Sequence, residues 1–113
     1  MSTTAGGRLT EPVYLDASAL VKLFVPEEES DRLNQSLAGL TDVIVSDLAL
    51  TEMASALSGR TREQRLTREE AHRLDALHLA TALDAEAATV VTFDPRLRDA
   101  ATSQGLFVAA PSA

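Results

Sequence analysis

The chain has no cysteine and no tryptophan, one tyrosine, and a single lysine, Lys22. Without thiols there is no disulfide framework, no thiolate metal site and no cysteine nucleophile. The composition suits a reducing compartment, and a cytoplasmic location is expected. Aromatic residues are confined to Tyr14, Phe24, Phe93 and Phe107, which leaves Leu, Val and Ala to build the core. No apolar run reaches the roughly 20 residues needed to cross a bilayer, so no membrane association is expected. The first residues, Met1 to Pro12, are polar around Gly6-Gly7 and lack the apolar stretch of a signal peptide. Residues 1–12 therefore read as a flexible leader, and residues 13–113 as one domain.

What remains is an ordinary globular composition, 45% hydrophobic and 24% charged over 113 residues, enough for a single core. The net charge of −7 argues against a protein that coats nucleic acid by charge alone. Four of those charges belong to the candidate site below. Neutralising them would leave −3, and each divalent ion would add local positive charge.

Along the chain, short β-prone runs alternate with helical stretches. Val13-Tyr14-Leu15 and Val43-Ile44-Val45 read as buried strands, and Thr89 to Phe93 as the clearest strand. Helices are expected over Ala17 to Phe24, stopped by Val25-Pro26, and over Glu28 to Leu40, where leucines recur at helical spacing. Ser46 is placed to cap a helix from Asp47 to about Leu57. Thr67-Arg68-Glu69-Glu70 is a capping box opening a long helix to about Glu86. Pro95 suits the first turn of a helix to about Ser103, and Gly105 precedes a last strand, Leu106-Phe107-Val108. This alternation implies an α/β fold with a short parallel sheet of about four strands and helices on both faces. In such sheets ligands bind at the carboxyl ends of the strands.

Two strand runs end in an aspartate, Asp16 and Asp94. Either alone is placed to cap the helix that follows. Together they point to chemistry, because the fold brings strand ends side by side. Glu52 lies among Leu50, Met53 and Ala54, where it snorkels from the helix edge or points into a cleft. Asp75 sits in Leu74 to Leu83, the most apolar helical segment, where a charge is rarely buried without a partner. If the four converge, like charges raise one another's pKa values, and a hard divalent cation resolves the repulsion. Such ions assist phosphodiester hydrolysis. Ser18 and Thr92 flank the strand-end aspartates; they either bind metal-linked water or phosphate, or make ordinary helix-entry hydrogen bonds. His78 lies one turn after Asp75 and is read as a packing or hydrogen-bonding residue, since His72 and His78 are too few for a dedicated zinc centre.

These residues resemble the PIN-domain ribonucleases, especially the VapC-type toxins of bacterial toxin–antitoxin pairs. Val13 to Lys22 is similar to the family's opening strand and first acidic residue, and Ser46 to Glu52 to the segment carrying the helical glutamate. Leu74 to Ala82 resembles its most recognisable motif, and Val91 to Leu97 its last acidic block. The resemblance spans Val13 to Val108 and implies a PIN-like three-layer αβα fold. It also implies a ribonuclease, dependent on Mg2+ or Mn2+, that hydrolyses RNA by metal-activated water as the toxin of a type II pair. Asp16, Asp75 and Asp94 would hold the metal, with Glu52 as a ligand or as the residue orienting the attacking water. A homodimer and a cognate antitoxin are the implied partners.

One departure stands out. Glu52 and Asp75 are 23 positions apart, whereas the family has a longer interval containing further helix and an edge strand. Leu66 to Ala71 resembles the start of that missing stretch and joins the Asp75 motif almost directly. An internal deletion is therefore expected, leaving one strand as a new sheet edge and exposing apolar surface. A shortened, inactive module that binds antitoxin or a related toxin is the rival reading. A phosphoacceptor receiver domain is disfavoured, because it needs a strand-end lysine and Lys22 lies in the first helix.

Overall fold

The computed structural model describes residues 9–58 and 67–111. Most of the expected leader, residues 1–8, lies outside the described residues, but residues 9–12 do not behave as a leader. Leu9 is buried in the core, Thr10 O accepts from Thr89 Oγ1 at 2.7 Å, and Pro12 O accepts from Ala88 N at 2.8 Å. The packed domain thus reaches back to residue 9.

Four strands are hydrogen-bonded in one sheet: β1 (Val13–Leu15), β2 (Val43–Val45), β3 (Thr89–Val91) and β4 (Phe107–Ala109). All pairings are parallel, and the order across the sheet is β2-β1-β3-β4. Side chains on a strand alternate between faces, and two cores result. Val13, Leu15 and Val91 point to one face, where they pack with Ala19, Leu20, Leu33 and Ala49. Tyr14 and Val90 point to the other, with Ala82, Leu97 and Ala101. The first face is covered by α1 (Ala17–Phe24), α2 (Ser30–Leu37) and α3 (Asp47–Leu57). The second is covered by α4 (Arg68–Asp84) and α5 (Pro95–Ser103). This is the three-layer α/β arrangement expected from the sequence.

The helix starts are fixed by side chains accepting from orphan backbone amides. Asp16 caps α1, Ser46 caps α3, and Asp94 caps α5 with Pro95 at its first turn. Thr67 and Glu70 form both bonds of the capping box on α4, at 3.0 and 2.8 Å. Some boundaries differ from expectation. The second helix stops at Leu37, because Ala38 is extended and Gly39 takes φ 82°, which glycine adopts without strain. The third strand ends at Val91 rather than Phe93, since its neighbour β1 has already turned into α1 at Asp16. The last strand starts at Phe107, because the Leu106 amide closes the end of α5 onto Ala101 O at 3.1 Å.

The edge strand β2 is thinly covered: Val43 is 38% and Val45 39% exposed. Leu50 and Leu57 on α3 and Leu77 on α4 are exposed as well. No described helix is long and apolar enough to cross a membrane.

Candidate active site

From β1 the chain passes to one side of the sheet to form β2, and then places β3 on the other side of β1. The carboxyl ends of β1 and β3 therefore flank the point where strand order reverses, the place where α/β sheets open a crevice. Asp16 follows β1 and Asp94 follows β3 by three residues. A cleft of about 200 Å³ lies there, and Asp16, Glu52, Asp75 and Asp94 all line it, with Ser18, His78 and Arg96.

Asp16 is buried and fully engaged. Its Oδ1 accepts from Ala19 N at 3.0 Å and Ser18 Oγ at 2.7 Å, and its Oδ2 from Thr92 Oγ1 at 2.5 Å. Burial pushes its pKa up, against the opposing pull of the Thr92, Ser18 and Ala19 hydrogen bonds. Thr92 Oγ1 also accepts from Asp94 N at 3.0 Å, and Ser18 Oγ accepts from Phe93 N at 2.9 Å. Two hydroxyls thus stitch the end of β1 to the segment leaving β3. Both side chains that the sequence left open are found making these structural bonds. Thr92 stands behind the cleft, while Ser18 also lines it.

The helix-borne carboxylates are held differently. Glu52 Oε1 accepts from His78 Nε2 at 2.5 Å. On the other side of the ring, His78 Nδ1 is 2.7 Å from Tyr14 Oη, which is 2.8 Å from Ser46 Oγ. Burial raises the Tyr14 pKa, opposed by the Ser46 hydrogen bond. Asp75 Oδ2 lies 3.6 Å from Arg96 Nε, and Asp94 Oδ2 lies 3.7 Å from Arg96 Nη2. These are ion pairs too long to be hydrogen bonds. Burial pushes the Asp75 pKa up; Arg96 opposes this, and Asp94 adds to it. Arg96 is the site residue that the sequence reading missed. Its position two residues past Asp94, in the first turn of α5, was the available signal.

The donor set suits a hard divalent ion, which prefers carboxylate oxygens and often takes only one or two of them beside water and phosphate. It is not a closed cage: among the described residues no three of His, Cys, Asp or Glu gather closely enough to hold an ion.

Comparison with known proteins agrees with this architecture. A family model described as the PIN domain matches residues 13–74, more than half of the chain and including Asp16 and Glu52. Ribonuclease VapC46 of Mycobacterium tuberculosis (strain ATCC 25618 / H37Rv) is 36% identical over 127 residues, covering 88% of this chain and 98% of that protein. Ribonuclease VapC35 of Mycobacterium tuberculosis (strain CDC 1551 / Oshkosh) is 35% identical over 130 residues, covering 88% and 96%. No solved structure matches at comparable significance. The chain belongs to the PIN-domain family. Within it the chain is of the VapC type, as both relatives are. A span of 88% of 113 residues is about 99 residues, which cannot omit any of the four carboxylates.

Proposed function

We propose that the chain is a metal-dependent endoribonuclease and the toxin of a type II toxin–antitoxin pair. The observation that carries this reading is the meeting of Asp16, Glu52, Asp75 and Asp94 on one cleft at the strand ends, in a chain whose relatives are named ribonucleases. Asp16, Asp75 and Asp94 would hold a magnesium or manganese ion, one or two of them directly and the rest through its bound waters. When bound, the ion supplies Lewis acidity toward a phosphoryl oxygen and water. Glu52 orients the water that attacks phosphorus. Ser18 and Thr92 fix the rotamer of Asp16, and Arg96 offsets the repulsion between Asp75 and Asp94 in the free protein.

The shortened interval before Asp75 is part of the same proposal. The VapC46 alignment runs over 127 positions but takes in only about 99 residues of this chain, a difference of about 28. Loss of an edge strand next to β2 accounts for the exposure of Val43 and Val45. A cognate antitoxin and a second copy of the chain are the proposed partners, and Leu50, Leu57 and Leu77 offer apolar surface for either.

The test is cleavage of RNA with single-stranded loops by purified protein in magnesium or manganese. Cleavage should vanish with chelator and in Asp16→Asn. If the protein cleaves nothing where a longer relative does, the catalytic reading fails. The seating of Arg96 beside Asp75 and Asp94 favours a second reading, a non-catalytic module that binds antitoxin or a related toxin. Calorimetry separates the two: one metal site lost in Asp16→Asn supports the enzyme, and antitoxin binding without metal binding supports the module.

A further inference from the structure

His78 is nearly fully buried, yet both of its ring nitrogens are hydrogen-bonded to side chains from other elements. A carboxylate oxygen can only accept, so in the bond to Glu52 the proton sits on Nε2. In the neutral ring with Nε2 donating, Nδ1 accepts from the Tyr14 hydroxyl. The Tyr14 oxygen can in turn accept from the Ser46 hydroxyl, whose own oxygen accepts from Ala49 N at 3.0 Å. Four groups thus point their donors one way, from the start of α3, through the centre of the sheet and α4, back to α3 at Glu52. Tyr14 is fully buried, so its ring cannot swing away, and His78 meets it edge-on with ring centroids 5.9 Å apart.

Resting on the catalytic reading of Glu52 above, we infer that His78 is a positioning residue for Glu52, with Tyr14 and Ser46 holding its tautomer and ring orientation. Glu52 is about a quarter exposed and sits on a helix whose preferred rotamers include ones that leave the cleft. The bond from His78 selects the rotamer that lines it. Asp75 and His78 are one turn apart on α4, so the same helix supplies one carboxylate directly and aims another. A partner behind a functional ligand typically governs activity by 10–100-fold, at an order of magnitude.

The experiment measures RNA cleavage by Tyr14→Phe, His78→Ala and His78→Gln, together with ring ¹⁵N spectra of the metal-free protein. The expected result is a fall in kcat of about tenfold or more in Tyr14→Phe and His78→Ala, with KM within about twofold. His78→Gln, whose amide can still donate to Glu52, should recover part of kcat. In the metal-free spectra the His78 Nε2 proton should be far downfield and should move upfield in Glu52→Ala. Wild-type kcat in both Tyr14→Phe and His78→Ala, beside an inactive Asp16→Asn, overturns the inference and leaves the catalytic reading standing. A loss matched by a lower melting temperature, with no rescue by Gln, reduces His78 to a structural role and also overturns it. If the wild type itself cleaves nothing, the catalytic reading fails, and a His78 proton unmoved by Glu52→Ala removes the relay as well.

Discussion

The four carboxylates fall into two pairs that the protein fixes by different means. Asp16 and Asp94 sit at strand ends, and each caps a helix by accepting from a backbone amide, with Ser18 and Thr92 adding hydroxyl bonds to Asp16. Glu52 and Asp75 sit within helices and are held by side chains, His78 and Arg96. The first pair is set by the topology of the sheet and persists as long as β1 and β3 are paired. The second depends on how α3 and α4 pack on opposite faces, and it can be displaced without unfolding anything. The proposed shortening of the connection between α3 and α4 would act on the second pair and spare the first.

The largest contrast is expected from Asp16→Asn. On the proposed reading Asp16 is a metal ligand, whose loss should exceed the effect of an outer partner, so cleavage should fall by more than about a hundredfold. The fold should gain stability. The raised pKa of Asp16 means that its ionised form costs more in the folded chain than in the unfolded one. That cost is complete above the folded pKa, shrinks as pH falls through the folded value, and is gone below the unfolded pKa. Thermal melts should therefore show the variant more stable than wild type at neutral pH by about 0.5–2 kcal/mol, with the gap closing under acid conditions. An equally destabilised Asp16→Asn would mean that the cap, not the charge, dominates at this position.

Thr92→Val tests the stitching of the strand-end pair. It removes the donor to Asp16 Oδ2 and the acceptor for Asp94 N in a buried site, so activity should fall by about 10–100-fold. Stability should fall by about 1–3 kcal/mol for the groups left unpaired. Arg96→Gln acts on the helix-borne side. With the guanidinium gone, Asp75 and Asp94 repel without relief, and a cation should bind several-fold more tightly by calorimetry. An unchanged affinity would show that Arg96 does not compete for these oxygens. Thr67→Ala is the smallest: loss of the α4 cap should cost about 1 kcal/mol in denaturant melts and leave cleavage by folded protein intact.

The same division governs what was legible in the sequence. Caps and strand runs are local, so Asp16, Ser46, Thr67 and Asp94 could be read with the elements they open. The parallel sheet followed from the alternation of Val13-Tyr14-Leu15, Val43-Ile44-Val45 and Thr89-Val90-Val91 with helices. What holds the helix-borne carboxylates is not local. Tyr14 and His78 are 64 positions apart, and Glu52 and His78 are 26 apart; no spacing rule links such pairs. His78 was legible only as a hydrogen-bonding residue without a named partner, and the one signal for Arg96 was its place two residues past Asp94. The packing of Leu9 was hidden for a similar reason, since its contacts lie across the sheet and not along the chain.

The hydroxyl of Thr92 reaches Asp16 across 76 positions of sequence. Closing so long a loop is entropically costly and is slow relative to local helix formation. A chain emerging from the ribosome amino end first has Asp16 early, but nothing to set beside it until residues 89–94 have also emerged. The acidic cleft is therefore completed only after most of the polypeptide has been made, so a truncated translation product ending before β3 would lack it.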